Sequence, residues 1–243
     1  MNTVKLWTRN FRLVILASAM GTLGSIVGGF ALAFLVFDET GSTLASALIV
    51  AIQLVPYLLL PILIAPLMDR LPRKAFLVAG DVANAILLAG MGIWLLFFEF
   101  SYVGYLAVSL LLSCLGATDE LAFTSIYPEL IPKGAEQKGY AVSSMLYPVL
   151  KVIMTPLAAV LLDAIGVAWI LIAQSILSLA AAITESFIHA EKTKQERNMP
   201  YSLRAWGEDI LEAVRYLKKE RGLRSIFGYM AVTNGVSDGF SPL

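Results

Sequence analysis

The sequence is poor in the residues that bind metals and carry charge. It holds one cysteine and one histidine in 243 residues. Cys114 permits no disulfide within the chain, and one histidine with one cysteine fits no metal-ligand spacing. There is no G-x-S-x-G nucleophile elbow and no H-E-x-x-H motif, so nothing points to an enzyme, a metal or a bound cofactor. Charged residues make up 15% of the chain, against about 25% in ordinary globular domains. Zero formal net charge gives no electrostatic footprint for nucleic acid.

Apolar residues are in excess, at 58% against roughly 45–50% in soluble domains. They are gathered into runs near or above the roughly 20 residues that a helix needs to cross the hydrocarbon core. Six complete runs, 11–37, 44–68, 75–98, 103–127, 139–162 and 166–188, and the start of a seventh from Ile226 predict an all-α, polytopic membrane bundle. Lys5, Arg9 and Arg12 before Ala17-Ser18-Ala19 would suit a cleaved signal, but the first run continues to Phe37, so that helix is read as retained. Gly21, Gly24, Ser25, Gly28 and Gly29 let another helix backbone approach it closely. Pro56 and Pro61 in the second run are expected to kink it. Three domains follow: a six-helix transmembrane domain at 1–189, a cytoplasmic interdomain loop at 190–224, and the start of a seventh helix at 225–243. Within the loop Leu203, Trp206, Ile210, Val214 and Leu217 recur at helical spacing after Ser202, a suitable N-cap, and predict an amphipathic helix on the membrane surface or under the bundle.

The cations are segregated. With alternating crossings, three Lys and Arg precede the first run, three lie in the second loop, two in the fourth and nine in the sixth. The first, third and fifth loops have none, and Lys151 is inside the fifth run. The positive-inside rule therefore places the N-terminus in the cytoplasm of a multi-pass protein of the cell membrane.

Ionisable residues inside a bilayer cost about 2.5–3.5 kcal/mol each on insertion scales, so they have partners or line a cavity. Asp81, Asp119, Glu120 and Lys151 need that explanation. Asp119 and Glu120 point about 100° apart on a helix. Asp119 is roughly 12 Å, and Lys151 roughly 18 Å, from the inner ends of their helices by rise per residue, a gap that a lysine can span. Lys151 is expected to pair with Asp119 or Glu120, either as a static ion pair or with one carboxylate exchanging a proton. Asp81, near the inner end of the third helix, is within reach of the hinge cations. Gln53 and Asn84 are candidate polar groups of a cavity.

Residues 65–77, APLMDRLPRKAFL, form a charged hinge between the second and third runs. Leu67, Asp69, Arg70, Arg73 and Lys74 match the loop G-x-L-x-D-R-x-G-R-(R/K) of the major facilitator superfamily, which the chain resembles. Ala65 and Pro72 replace its two glycines. The Gly80-Asp81 pair, the stretch 128–132 (PELIP) and the helix leading to the seventh run resemble the drug:proton antiporter branch, with its macrolide and siderophore exporters. Of the antiporter motif G-P-x-x-G-G, the stretch 155–159 (TPLAA) keeps the proline and the small residues. The resemblance implies a 3+3 inverted repeat, a charge cluster of Asp69, Arg70, Arg73, Lys74 and Asp81 that gates the cytoplasmic end, and a second six-helix half against which this one rocks. It also implies a secondary transporter, with proton-driven efflux of small amphipathic compounds as the leading function. Protons, an amphipathic substrate, the lipid bilayer and a missing C-terminal half or second half-transporter are the expected partners. The alternative is a truncated, non-transporting membrane protein or a half-transporter that needs a partner. Nothing in the residues fixes the substrate, since sugar and lipid carriers share the scaffold.

Overall fold

The computed structural model describes residues 5–68, 71–189 and 203–220, with Gly222, Ser225, Ile226, Gly228, Tyr229 and Thr233 beyond them. These residues fall into two compact units, Met1–Glu196 and Arg197–Leu243. All regular structure among them is helical: α1 (Arg9–Thr40), α2 (Thr43–Met68), α3 (Arg73–Phe97), α4 (Tyr102–Leu130), α5 (Glu136–Ser186) and α6 (Leu203–Lys219). Asp69, Arg70, residues 190–202 and most of the expected seventh helix lie outside the described residues.

The first five helices are each long and apolar enough to cross a membrane. The shortest, α3, has 25 residues, about 37 Å at 1.5 Å per residue, against a hydrocarbon core of about 30 Å. Their outward faces carry large apolar side chains, such as Leu44 (77% exposed), Leu58 (72%) and Val103 (73%). Such a surface suits lipid, where only backbone that satisfies its own hydrogen bonds can span.

Local chemistry sets the helix ends. The Thr8 hydroxyl accepts from the Phe11 N–H and starts α1, which runs on through Asp38 and Glu39, past the end of the apolar run at Phe37. It stops at Gly41, whose φ of 62° lets its N–H reach the Phe37 carbonyl. α2 keeps Pro56, Pro61 and Pro66 inside it, and each ring removes a donor to the carbonyl four residues earlier. Pro72 caps α3, so Arg73 and Lys74 are its first two helical residues rather than loop residues.

α5 has 51 residues, where the sequence suggests two crossings. Gly166 within it has φ 76° and ψ 167°, a non-helical conformation. A straight helix of that length would be about 75 Å long, yet Ala135 and Ile188, just beyond its two ends, bury in one apolar cluster. α5 is therefore a hairpin, an outbound limb to Gly166 and a return limb after it. Ala158 and Ile170, from opposite limbs, share a second cluster with Val27 and Ala31 of α1.

The return limb is the spine of the first unit. α1 runs antiparallel to it, with Gly24 and Gly28 against Gln174 and Asn10 bonded to His189. α3 does the same, with Gly92 against Ala168 and Ile172, Ser175 donating to the Ala85 carbonyl at 2.7 Å, and Lys74 donating to the Ser186 carbonyl at 2.6 Å. α4 packs on α3 and α2. Phe11, Met68, Leu77, Ala122, Ile126 and Ile188 make the core at the end where α1 and α3 begin. Arg9, Arg12, Arg73, Lys74, Lys133 and Lys138 belong to this cationic end. Leu35, Leu88, Met91, Tyr105 and Leu171 fill the other.

The second unit contains α6, with Trp206 and Ile210 partly buried and Leu211 and Tyr216 exposed. Its last turn carries Lys218 and Lys219, where the helix dipole favours cations.

Candidate functional site

The described hinge cations are bound to other helices. Arg73 forms an ion pair with Glu129 of α4 at 2.7 Å and donates to the Ser125 carbonyl at 2.9 Å. Lys74 donates to the Ser186 carbonyl at the end of α5. Two cations in the first turn of a helix oppose its dipole, and no acid offsets them there. Their partners on α4 and α5 make up for this, so three helices are joined at the cationic end. A shallow groove of about 390 Å³ adjoins this tie, lined by Thr8, Arg9, Asn10, Glu129 and residues 130–132.

Deeper in the bundle, α3, α4 and the return limb of α5 bring Asp81, Asn84 and Asp119 together. The Ser178 hydroxyl lies 3.0 Å from the Asp81 carbonyl oxygen and 3.3 Å from Asp81 Oδ1, and it accepts from the Asn84 amide at 3.2 Å. Asp119 points across at Gly80, where an added Cβ would sit 4.0 Å from Asp119 Oδ1. That oxygen is sealed from solvent and has no hydrogen-bond partner. Asp81 was expected within reach of the hinge cations, but among the described residues no ion pair joins it to one. It is two turns further in and is held by Ser178.

Glu120 is on a different face of α4 from Asp119. It is exposed on the bundle, and the Tyr57 hydroxyl of α2, which lies against Gly116, is within electrostatic range of both acids. Lys151 departs from expectation. No ion pair joins it to Asp119 or Glu120 among the described residues. Its ammonium is exposed and lies 5.6 Å from the centre of the Tyr147 ring, one turn earlier on its own helix. Gln53 is half-buried on α2, with no polar partner among the described residues.

A sequence model of the Major Facilitator Superfamily matches residues 13–243. The chain belongs to that superfamily. It is therefore a multi-pass membrane protein of a family of secondary transporters rather than enzymes. Neither the curated proteins nor the solved structures compared with it gave a match.

Sequence reasoning on this superfamily member missed Glu129 as the partner of Arg73, Ser178 as the partner of Asp81, and Glu185 as a buried acid. Glu129 had a signal, since it is an acid at the end of a membrane helix opposite a cationic hinge. Ser178 had none, because serine is common in membrane helices as a small packing residue.

Proposed function

We propose that the protein is a proton-coupled exporter of small amphipathic compounds, working by alternating access from the cell membrane with its N-terminus in the cytoplasm. In this reading α1–α5 make six crossings, residues 1–189 form one half of the transporter, 190–224 link it onward, and 225–243 begin a seventh crossing. Alternating access requires a second bundle for this half to move against.

The observation that carries the reading is the placement of Asp81 and Asp119 inside the bundle with no ion pair to a cation among the described residues. A carboxylate there is costly unless it meets water, substrate or a proton. Glu120, Lys151, Gln53 and Asn84 supply the remaining polar groups of the proposed cavity, where a greasy cation would find both apolar walls and acids. Arg73 and Lys74, with Asp69 and Arg70 of the same hinge, hold the cytoplasmic end closed and release it on switching. The cations gathered at the end where α1 and α3 begin support a cytoplasmic location for that end.

Reconstitution into proteoliposomes tests the function. Adding a lipophilic cation should drive proton movement across the vesicle wall, and Asp119→Asn or Glu120→Gln should abolish it. Coupled transport unchanged in both variants would remove the α4 acids from the scheme.

A further inference from the structure

Lys151 stands at the middle of the outbound limb of α5, midway between Glu136 and Gly166 and about 22 Å of helix from each. It is exposed, and its ammonium meets the Tyr147 ring at 5.6 Å but, among the described residues, no carboxylate. From so deep in a crossing a lysine does not snorkel to the interface, as it does near a helix end. The acids of its own limb, Glu136 and Asp163, lie near the two ends, and Asp119 of α4 points at Gly80.

Lys151 belongs to a polar row. Tyr140, Ser144, Tyr147, Lys151 and Thr155 follow one another at offsets of three and four, so they share one face of the limb. All five are exposed. Pro148 adds to the polarity of this face, because it has no N–H to give the Ser144 carbonyl. Met145, Val149, Val152 and Val160 make a second exposed row on another face, apolar throughout. A crossing helix with two such faces turns the apolar one to lipid and the polar one to a water-filled route. The Thr155 hydroxyl is committed to the Lys151 carbonyl, to which it donates at 2.7 Å. The Ser144 and Tyr147 hydroxyls are donors beside an ammonium without a countercharge, which is the chemistry that recognises an anion. One ammonium is a point charge that matches one negative charge, so a carboxylate suits it better than a dianionic phosphate.

We infer that the polar row of the outbound limb lines the transport route, and that Lys151 there receives the carboxylate of a small amphipathic substrate. The inference rests on the transporter reading for the passage of that substrate, but not for its binding.

Thiol labelling of the purified full chain in proteoliposomes tests both parts. On a Cys114→Ser background, Ser144→Cys and Thr155→Cys should react with an impermeant thiol reagent supplied on both sides of the membrane. Val149→Cys and Val160→Cys should not, because a thiol in lipid does not ionise. With Lys151 intact, 1-naphthoate should protect Thr155→Cys, and the uncharged 1-naphthalenemethanol should not. Adding Lys151→Met should raise the naphthoate concentration needed by at least about tenfold, the loss expected for a charged hydrogen bond, and Lys151→Arg should preserve protection. If Thr155→Cys does not yield folded protein, Ser144→Cys takes its place. Equal labelling of the two rows would overturn the inference, as would protection that survives Lys151→Met or is matched by the alcohol. Absence of protection would overturn it too, since a fixed carboxylate of the protein would then hold Lys151. Vesicle assays separate the two readings: Lys151-dependent protection without substrate-driven proton movement leaves the anion site standing and removes proton-coupled export.

Discussion

Arg73, the first residue of α3, reaches Glu129 near the end of α4 at 2.7 Å and so joins two helices that begin at opposite ends of the bundle. Both side chains are partly exposed, at 20% and 38%, so the pair contributes only about 0–1 kcal/mol to stability. Arg73→Ala and Glu129→Gln should therefore leave expression and melting temperature nearly unchanged while lowering transport by up to about fivefold, the effect of about 1 kcal/mol on a switching step. The charge-reversed double variant Arg73→Glu with Glu129→Arg should recover part of the activity.

Lys151 and Glu120 should behave as independent residues. With no pair between them, the effects of Lys151→Met and Glu120→Gln on transport should add to within about 0.5 kcal/mol in a double-mutant cycle. A coupling energy above about 1 kcal/mol would show that they meet in another state of the cycle.

Gly28 and Gly29 are neighbours with opposite tolerance. A Cβ on Gly28 would overlap the Gln174 carboxamide, whereas one on Gly29 would meet nothing within 4 Å. Gly28→Ala should lower stability by up to about 1 kcal/mol, because the Gln174 carboxamide in its way is the far end of a flexible side chain. Gly29→Ala should be neutral or up to about 1 kcal/mol more stable. Melting temperatures in detergent decide this, and Gln174→Ala should relieve the Gly28→Ala defect.

Gly166 tests backbone rather than space. An added Cβ would meet nothing within 4 Å, yet φ of 76° with ψ of 167° is a conformation that essentially only glycine adopts. Gly166→Ala should cost about 1–3 kcal/mol, read by the same melting assay.

The hairpin in α5 predicts topology. On a Cys114→Ser background, single cysteines at Lys133 and His189 should react with an impermeant thiol reagent from one side of the membrane, and one at Asp163 from the other. If His189 and Lys133 were labelled from opposite sides, α5 would cross once and the hairpin would be wrong.

Long apolar runs were the most legible part of the sequence, because burial in hydrocarbon leaves a signal in every residue of a span. The break between the fifth and sixth runs was legible too, from Asp163 and Gly166. The ends of helices were less so: Arg73 and Lys74 read as loop because they are charged, although the chain is already helical there. Contacts between helices were least legible. Lys151 looked like a partner for Asp119 on distance along the axis, but pairing also depends on the rotation of each helix. Glu185 stands near the end of the sixth run with nothing in the sequence to mark it as buried, and only the packing of helices around the return limb encloses it.

The reversal at Gly166, with helix on both sides, leaves α5 no slack at its tip. An epitope inserted there would have to unwind a turn of one limb, and the chain should then misfold or be degraded. Gly134, between α4 and α5 and already at φ 88°, is the better place for a tag, and an antibody against it would report on the opposite face.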